Sequence, residues 1–130
     1  MSDTAMVRTG WVLSGLFILF MAGASIAPKL LGMPVAEETL VGLGWPGHYV
    51  LMIGLFELAF TLLYAIPRTS VLGAVLMTGL IGGAMATHIR VGSPLFSHIL
   101  FGIYLALFMW GGLWLRSPAL RAVFPLKTKD

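Results

Sequence analysis

Gly54-Leu-Phe-Glu-Leu-Ala-Phe-Thr-Leu-Leu-Tyr64 is an apolar stretch that carries one carboxylate, Glu57, in its middle. A carboxylate inside a membrane-spanning segment is costly unless it is protonated, paired or in contact with water. At helical spacing Gly54, Thr61 and Tyr64 share a face with Glu57, so the polar groups of this helix point in one direction. We therefore expect the other helices to pack around that face.

The composition of the whole chain is that of an integral membrane protein. Hydrophobic residues make up 58% of the 130 residues, charged residues make up 10%, and the mean hydropathy is +0.96. These values lie outside the usual range of soluble proteins, and the apolar residues come in blocks long enough to cross a bilayer. The length predicts a single domain over residues 1–130. In such a protein the net charge of +3 does not indicate nucleic-acid binding.

The apolar blocks predict an all-α fold, a bundle of four transmembrane helices with up-down topology. The tight connection Pro67-Arg68-Thr69 makes the second and third spans an antiparallel hairpin. The predicted spans cover residues of about 11–28, 48–66, 71–88 and 95–115.

The linker between the first two spans predicts a short helix over Val35–Leu43. Pro34 suits the first position of a helix, and Glu37 and Glu38 favour a helix N-terminus, where the helix dipole attracts acidic groups. We expect this helix to lie on the membrane surface or between the spans.

Gly79 and Gly83 in the third span have the small-xxx-small spacing of close helix contacts. Two glycines one turn apart let another helix approach the backbone. The spacing favours a contact within the chain, and a homodimer seam is the alternative.

The basic residues predict that both termini are cytoplasmic, because Lys and Arg accumulate on the cytoplasmic side of membrane proteins. With four spans, both termini and the connection between spans two and three lie on one side of the membrane. Two basic residues, Lys29 and Arg90, fall on the other side. Six fall on the side of the termini: Arg8, Arg68, Arg116, Arg121, Lys127 and Lys129.

Several motifs, in order from about Gly15 to Pro125, resemble the DoxX-like family. The family takes its name from the small DoxX subunit associated with thiosulfate:quinone oxidoreductase, and wider relatives include maturation factors and receptor-assembly chaperones. The resemblance implies a four-helix membrane bundle with a redox link, but it assigns no reaction. Since the chain has no cysteine, the thiol chemistry suggested for some relatives is excluded. The motifs are Lys29, Gly54-x-x-Glu57-Leu58, Ile66-Pro-Arg-Thr69, Leu72-Gly-Ala74, Gly82-Gly-Ala-Met-Ala-Thr-His88-Ile-Arg90 and Trp110-Gly-Gly-Leu-Trp-Leu-Arg116.

Glu57 and Lys29 are the first candidates for a site. Glu57 is either a structural acid that joins helices through hydrogen bonds or part of a ligand or proton site; a lipid-facing position is physically unattractive. Lys29 is either an anchor whose ammonium reaches the interface or an inward partner of Glu57 or of an anionic ligand. With Lys29 at the outer boundary and Glu57 near the midplane, ~14 Å of helix rise would separate the two.

Other candidates surround the loop between the third and fourth spans. His88 has either a proton-transfer or a hydrogen-bonding role, or it faces the headgroups. Arg90 is either an interface anchor, a partner of Glu37 or Glu38, or a binder of an anionic group. A bis-histidine haem site at His88 and His98 would need both rings to face one slot, and histidines beside a short loop more often face the headgroups. The sequence carries no zinc, phosphate-loop or dinucleotide signature, so no metal ligands are assigned.

These observations favour an inner-membrane protein of bacteria with an outer-facing polar pocket for a small lipophilic ligand, a quinone or another molecule, serving an oxidoreductase system. In this hypothesis Glu57 and His88 exchange protons with the ligand, and Lys29 and Arg90 stabilise negative charge. The alternatives are a cofactor-independent acid–base enzyme, such as an isomerase or hydrolase, and a membrane-protein assembly factor. Possible partners are the lipid bilayer, the ligand, a second copy or another membrane subunit. The remaining predicted ligand contacts are Thr61, Tyr64, His98 and Tyr104.

Overall fold

The structure, a computed structural model, describes residues 1–128; Lys129, one of the basic residues in the topology argument, and Asp130 lie outside the described residues. Within residues 1–128 the regular structure is entirely helical. The α-helices are α1 (Asp3–Phe20), α2 (Ala27–Leu30), α3 (Pro34–Gly42), α4 (Val50–Ala65), α5 (Ser70–Val91), α6 (Phe101–Arg116) and α7 (Pro118–Arg121). Two π-helical turns, Met21–Ile26 and Leu95–Ile99, and two 3₁₀ turns, Gly47–Tyr49 and Pro67–Thr69, join or extend them.

Four continuous helical segments are long and apolar enough to cross a membrane, which confirms the four-span, all-α fold. We call them span 1 to span 4. The first begins earlier than predicted, since Ser2 caps it by accepting a hydrogen bond from the Ala5 amide at 3.1 Å. The third ends later, at Val91, because Gly92 takes the left-handed conformation that terminates a helix. The spans are Asp3–Leu30, Gly47–Ala65, Pro67–Val91 and Leu95–Arg116.

Span 1 continues through Pro28, where a regular α-helix would lose a hydrogen bond. Proline has no N–H to donate to the preceding turn. In this helix the turn before it is widened to a π turn, closed by the amide of Ala27 on the carbonyl of Ala22. The widened turn lets the chain pass the proline and extends the span to Leu30, beyond its predicted end.

The spans form a closed ring in which α1 packs on α6, α6 on α5, α5 on α4, and α4 on the π turn and α2. Glycines make the closest approaches. A Cβ at Gly10 would lie 2.6 Å from the carbonyl oxygen of Gly112, and a Cβ at Gly73 would collide with the backbone of Tyr64. These contacts join α1 to α6 and α4 to α5.

The prediction that Gly79 and Gly83 form a close helix contact is wrong. A Cβ built on either glycine would have nothing within 4 Å. The two helices that flank α5 meet it at other positions, namely at Gly73 on the α4 side and at Met85 and Ile81, which touch Gly102 of α6. Gly79 and Gly83 border an open space instead.

The linker between spans 1 and 2 contains α3 (Pro34–Gly42), close to the range that the sequence indicates. The carboxylate of Glu37 lies against Gly47, where a Cβ would approach Oε1 to 2.6 Å. The indole N–H of Trp45 donates to Oγ1 of Thr87 in α5 at 3.3 Å. These contacts hold the linker over one end of the bundle, which we call the linker end; the opposite end, which holds both termini, is the terminal end.

The orientation of the bundle stays a prediction, and the cysteine-free chain makes it testable. Leu31 at the linker end and Leu126 at the terminal end are both well exposed, at 76% and 77%. If the termini are cytoplasmic, a membrane-impermeant maleimide applied to intact cells should label Leu31→Cys and leave Leu126→Cys unlabelled until the cells are opened. Labelling of Leu126→Cys in intact cells would reverse the predicted orientation.

Candidate functional site

Glu57 is buried and paired with two residues of span 1. Lys29 Nζ lies 3.0 Å from Glu57 Oε1, and the hydroxyl of Ser25 donates to Glu57 Oε2 at 2.6 Å. Lys29 Nζ also donates to Oγ and to the carbonyl oxygen of Ser25, at 2.8 Å and 3.2 Å. Only 6% of Glu57 is exposed. We call Ser25, Lys29 and Glu57 the polar triad.

The expected separation between Lys29 and Glu57 is therefore wrong, for two reasons. Side chains of a helix lean towards its N-terminus, so the Lys29 stem runs back along span 1 to the level of Ser25. Gly54 lets the two helices close on each other, since a Cβ there would lie 2.8 Å from Cβ of Lys29. The long stem and the close approach bring the ammonium down to the carboxylate.

A cavity of about 710 Å³ adjoins the polar triad at the linker end of the bundle. Its volume falls within the range of small-molecule sites in proteins. Each of four helical segments contributes a stripe of residues at spacings of three and four, so the cavity follows from the helix arrangement. The stripes are Ala24, Ser25, Pro28 and Lys29; Val35, Ala36, Thr39, Leu40 and Leu43; Tyr49, Met52, Ile53, Phe56 and Glu57; and Gly79, Leu80, Gly83, Ala84 and Thr87.

The cavity has apolar walls, the polar triad at its deep end and a second polar contact at its rim. Along span 2 the interval from Tyr49 at the rim to Glu57 is eight residues, or about 12 Å of helix rise. At the rim the Thr87 hydroxyl accepts a hydrogen bond from the indole N–H of Trp45 and donates one to the carbonyl of Gly83 at 2.9 Å. The absence of side chains at Gly79 and Gly83 widens the cavity on its α5 side.

His88, His98, Arg90 and Tyr104 do not line this cavity. Nδ1 of His88 forms a hydrogen bond with Oγ of Ser93 at 2.8 Å. The His88 ring contacts that of His98 edge-on, with centroids 5.7 Å apart. Because the two rings contact each other, no slot for a haem separates them.

Arg90 lies against Gly44 of the linker, and the hydroxyl of Tyr104 donates a hydrogen bond to the carbonyl of Phe96 at 3.0 Å.

Thr61 and Tyr64 do not line the cavity; they are buried farther along α4, towards the terminal end of the bundle. The Tyr64 ring is fully buried, and its hydroxyl donates to the carbonyl of Met109 at 2.6 Å and pairs with Ser14 Oγ at 2.9 Å. Nε of Arg116 donates to the same Ser14 hydroxyl at 3.0 Å.

Thr61 is 4% exposed, and its hydroxyl has no hydrogen-bond partner. The aromatic groups of the cavity are instead Trp45, Tyr49 and Phe56.

Ser25 is the site residue that the sequence reasoning missed. It occurs within the small-residue run Ala22-Gly-Ala-Ser-Ile-Ala27, where a single serine does not indicate a functional site. Its position four residues before Lys29 was the available signal, because that spacing places the hydroxyl under the ammonium.

Among residues 1–128, no group of three or more His, Cys, Asp or Glu side chains is arranged to hold a metal ion. The polar triad contributes one ammonium, one carboxylate and one hydroxyl to the apolar cavity. Such a site offers charge stabilisation and proton exchange to a molecule that enters it.

No curated protein and no solved structure matches the chain significantly. The model of the DoxX-like family matches residues 12–112, which include the polar triad and most of the four spans. That range is well over half of the 130 residues. The protein is a membrane protein with several spans, and it belongs to the DoxX-like family.

Proposed function

We propose that this protein binds a small lipophilic molecule in the cavity at its linker end, with the polar group of that molecule at the polar triad. The observation that carries the proposal is the ion pair of Lys29 and Glu57 at the deep end of an apolar cavity walled by four helical segments. Sites of this kind, mostly apolar with a few convergent polar groups, are typical of ligand pockets between helices.

Stability alone gives no reason for a charged pair at this position. Removing two charges from water costs as much as their attraction returns, and well-packed apolar residues often stabilise a core equally well. Ionisable groups inside membrane spans are correspondingly rare and mark ligand or proton sites. Both Lys29 and Glu57 line the cavity, so a molecule inside it lies next to the ion pair.

The finer form of the proposal concerns the ligand and the setting. A quinone or another lipophilic molecule would lie along the apolar walls, and the protein would serve an oxidoreductase system in a bacterial inner membrane. Lys29 would stabilise negative charge on a ligand oxygen, while Glu57 would exchange a proton with it. His88 and Arg90 have no part in this proposal, because neither lines the cavity.

A second function, that of a cofactor-independent acid–base enzyme on a lipophilic substrate, is favoured by the position of Ser25. Its hydroxyl lies between the ammonium at 2.8 Å and the carboxylate at 2.6 Å, so one continuous hydrogen-bonded path joins an acid and a base. Such a path can take a proton from one atom of a substrate and return it to another. A binding protein would retain its ligand unchanged after incubation, whereas an isomerase or hydrolase would convert it.

Filling the cavity should abolish ligand retention and leave the fold intact. We expect Gly83→Leu to purify without the small molecule that the wild type retains, because the new side chain would occupy part of the cavity that Gly83 lines. Gly82→Leu is the matched control, since Gly82 is equally uncrowded but does not line the cavity. Native mass spectrometry of the three proteins, prepared from the same membranes, measures the retained mass.

Both leucines should leave the protein at least as stable as the wild type, because leucine favours a helix over glycine by about 1 kcal/mol. A molecule retained equally by Gly83→Leu and the wild type would contradict binding in this cavity. So would a wild-type protein that retains nothing from any membrane.

A further inference from the structure

The ammonium of Lys29 has no hydrogen left to offer a ligand. A lysine side chain carries three N–H donors. In this structure the three face Glu57 Oε1 at 3.0 Å, Ser25 Oγ at 2.8 Å and the Ser25 carbonyl oxygen at 3.2 Å. The hydroxyl proton of Ser25 is also committed, because it points at Glu57 Oε2. Every donor of the polar triad is therefore occupied within the triad.

The carboxylate of Glu57 has capacity to spare. An ionised carboxylate has about four acceptor positions on its two oxygens. One position on Oε1 is taken by Lys29 and one on Oε2 by Ser25. The remaining positions belong to a residue that lines the cavity, so the unused hydrogen-bonding capacity at the deep end is that of an acceptor.

We infer that the cavity selects a ligand whose deep end donates a hydrogen bond to Glu57, that is, a lipophilic molecule with a hydroxyl or N–H group. The site would then distinguish such a molecule from its carbonyl or ether counterpart, which can only accept. This inference rests on the proposed function and narrows its ligand: where that ligand belongs to a quinone couple, the quinol, which carries hydroxyls, would be preferred to the quinone.

An acceptor-only ligand meets an obstacle that a donor does not. To bind Lys29, its oxygen must displace Ser25 or Glu57 from the ammonium, and the displaced group is then left in an apolar cavity without its partner. A donor completes the coordination of Glu57 and breaks no existing bond. Hydrogen bonds to ionised groups are the stronger kind, so we expect about a tenfold preference or more for the donor.

Two probes that differ in one donor test the inference: 4-dodecylphenol, which has a hydroxyl, and 4-dodecylanisole, its methyl ether. Each is titrated into nanodiscs at the same mole fraction in the lipid, and binding is followed by the shift of the thermal unfolding midpoint. Gly83→Leu in parallel nanodiscs corrects for effects of the probe on the bilayer. The expected result is binding of the phenol about tenfold tighter than that of the ether.

Ser25→Ala provides a second readout that a general affinity for phenols would not change. Removing the hydroxyl frees one N–H of Lys29 and one acceptor position of Glu57. The ether should then bind more tightly than it does to the wild type, and the preference for the phenol should shrink.

The outcomes distinguish failure of the donor inference from failure of the proposed function. Equal binding of phenol and ether, with both lost in Gly83→Leu, overturns the donor inference and leaves the cavity as a binding site. Binding that Gly83→Leu does not change, or no binding of either probe, overturns the proposed function and the inference together. An undiminished preference in Ser25→Ala shows that the triad does not set the selectivity.

Discussion

Replacing Lys29 with methionine should lower the free energy of unfolding by about 3 kcal/mol. The substitution keeps most of the apolar stem but leaves the carboxylate of Glu57, which is 6% exposed, without its cation. A buried charge whose partner is removed is costly, since neither water nor a counter-ion replaces the lost interaction. Equilibrium unfolding of the purified protein in mixed detergent micelles measures the change.

The double variant Lys29→Met/Glu57→Leu is the control for this prediction. It removes both charges and fills the same volume with apolar groups, so most of the lost stability should return, because an ion pair and an apolar pair of similar size are often equivalent in a protein interior. Strong non-additivity between the two substitutions is the expected signature of a direct pair. A single variant as stable as the wild type would show that Glu57 does not depend on Lys29.

Gly73→Ala should destabilise the bundle by about 3 kcal/mol, the upper part of the range for overpacking. The new methyl group would collide with the backbone of Tyr64, and a main chain cannot move aside as a flexible side chain can. Spans 2 and 3 would have to separate at the point where Ser70 Oγ donates to the carbonyl of Tyr64 at 2.7 Å. The same unfolding measurement reports the loss.

Gly79→Ala, on the same helix, is the matched control and should have the opposite sign. Nothing lies within 4 Å of a Cβ at Gly79, so the methyl group meets no obstacle. Alanine favours a helix over glycine by about 1 kcal/mol, and the variant should therefore be neutral or slightly more stable. Equal destabilisation by the two alanines would mean that the helices pack differently from the arrangement described here.

The sequence predicts the four spans well because long apolar segments have few alternatives in a bilayer. Backbone groups in lipid must bond within the segment, so composition and length together lead to helices. The boundaries were less predictable. Proline normally ends a helix, and nothing local indicates that a π turn carries span 1 past Pro28 to Leu30.

The candidate site was only partly predictable. Glu57 stands out as a lone acid in apolar sequence, and the energetic cost of exposing it to lipid implies a partner. Which partner it finds depends on how closely span 1 approaches α4, and that distance depends on Gly54 rather than on any feature of Lys29. His88 and Arg90 fall at a similar level by residue counting, yet His88 pairs with Ser93 and Arg90 lies against Gly44, and neither lines the cavity.

The glycines show most clearly that residue spacing alone does not predict a helix contact. Gly79 and Gly83 have the spacing of a helix contact, but the contacts form at Gly73 and at Gly10 with Gly112. Spacing describes one helix surface, whereas a contact needs a second surface of matching shape. The same two glycines that suggest close packing in the sequence provide an empty volume in the structure.

The π turn at Met21–Ile26 lets span 1 hold one extra residue without changing which residues face α6 and α4. A π turn holds one residue more than the α-helical turn that it replaces. Deleting one residue of the turn, for instance the uncrowded Gly23, would restore a continuous α-helix and leave the residues on both sides of it facing as they do now. Both the part of α1 against α6 and Lys29 would keep their present faces, while Pro28 would then lie in a regular α-helix, where its ring crowds the carbonyl of the preceding turn. Span 1 thus contains one residue more than its register requires, and the turn that absorbs this residue is what accommodates Pro28 inside a membrane span.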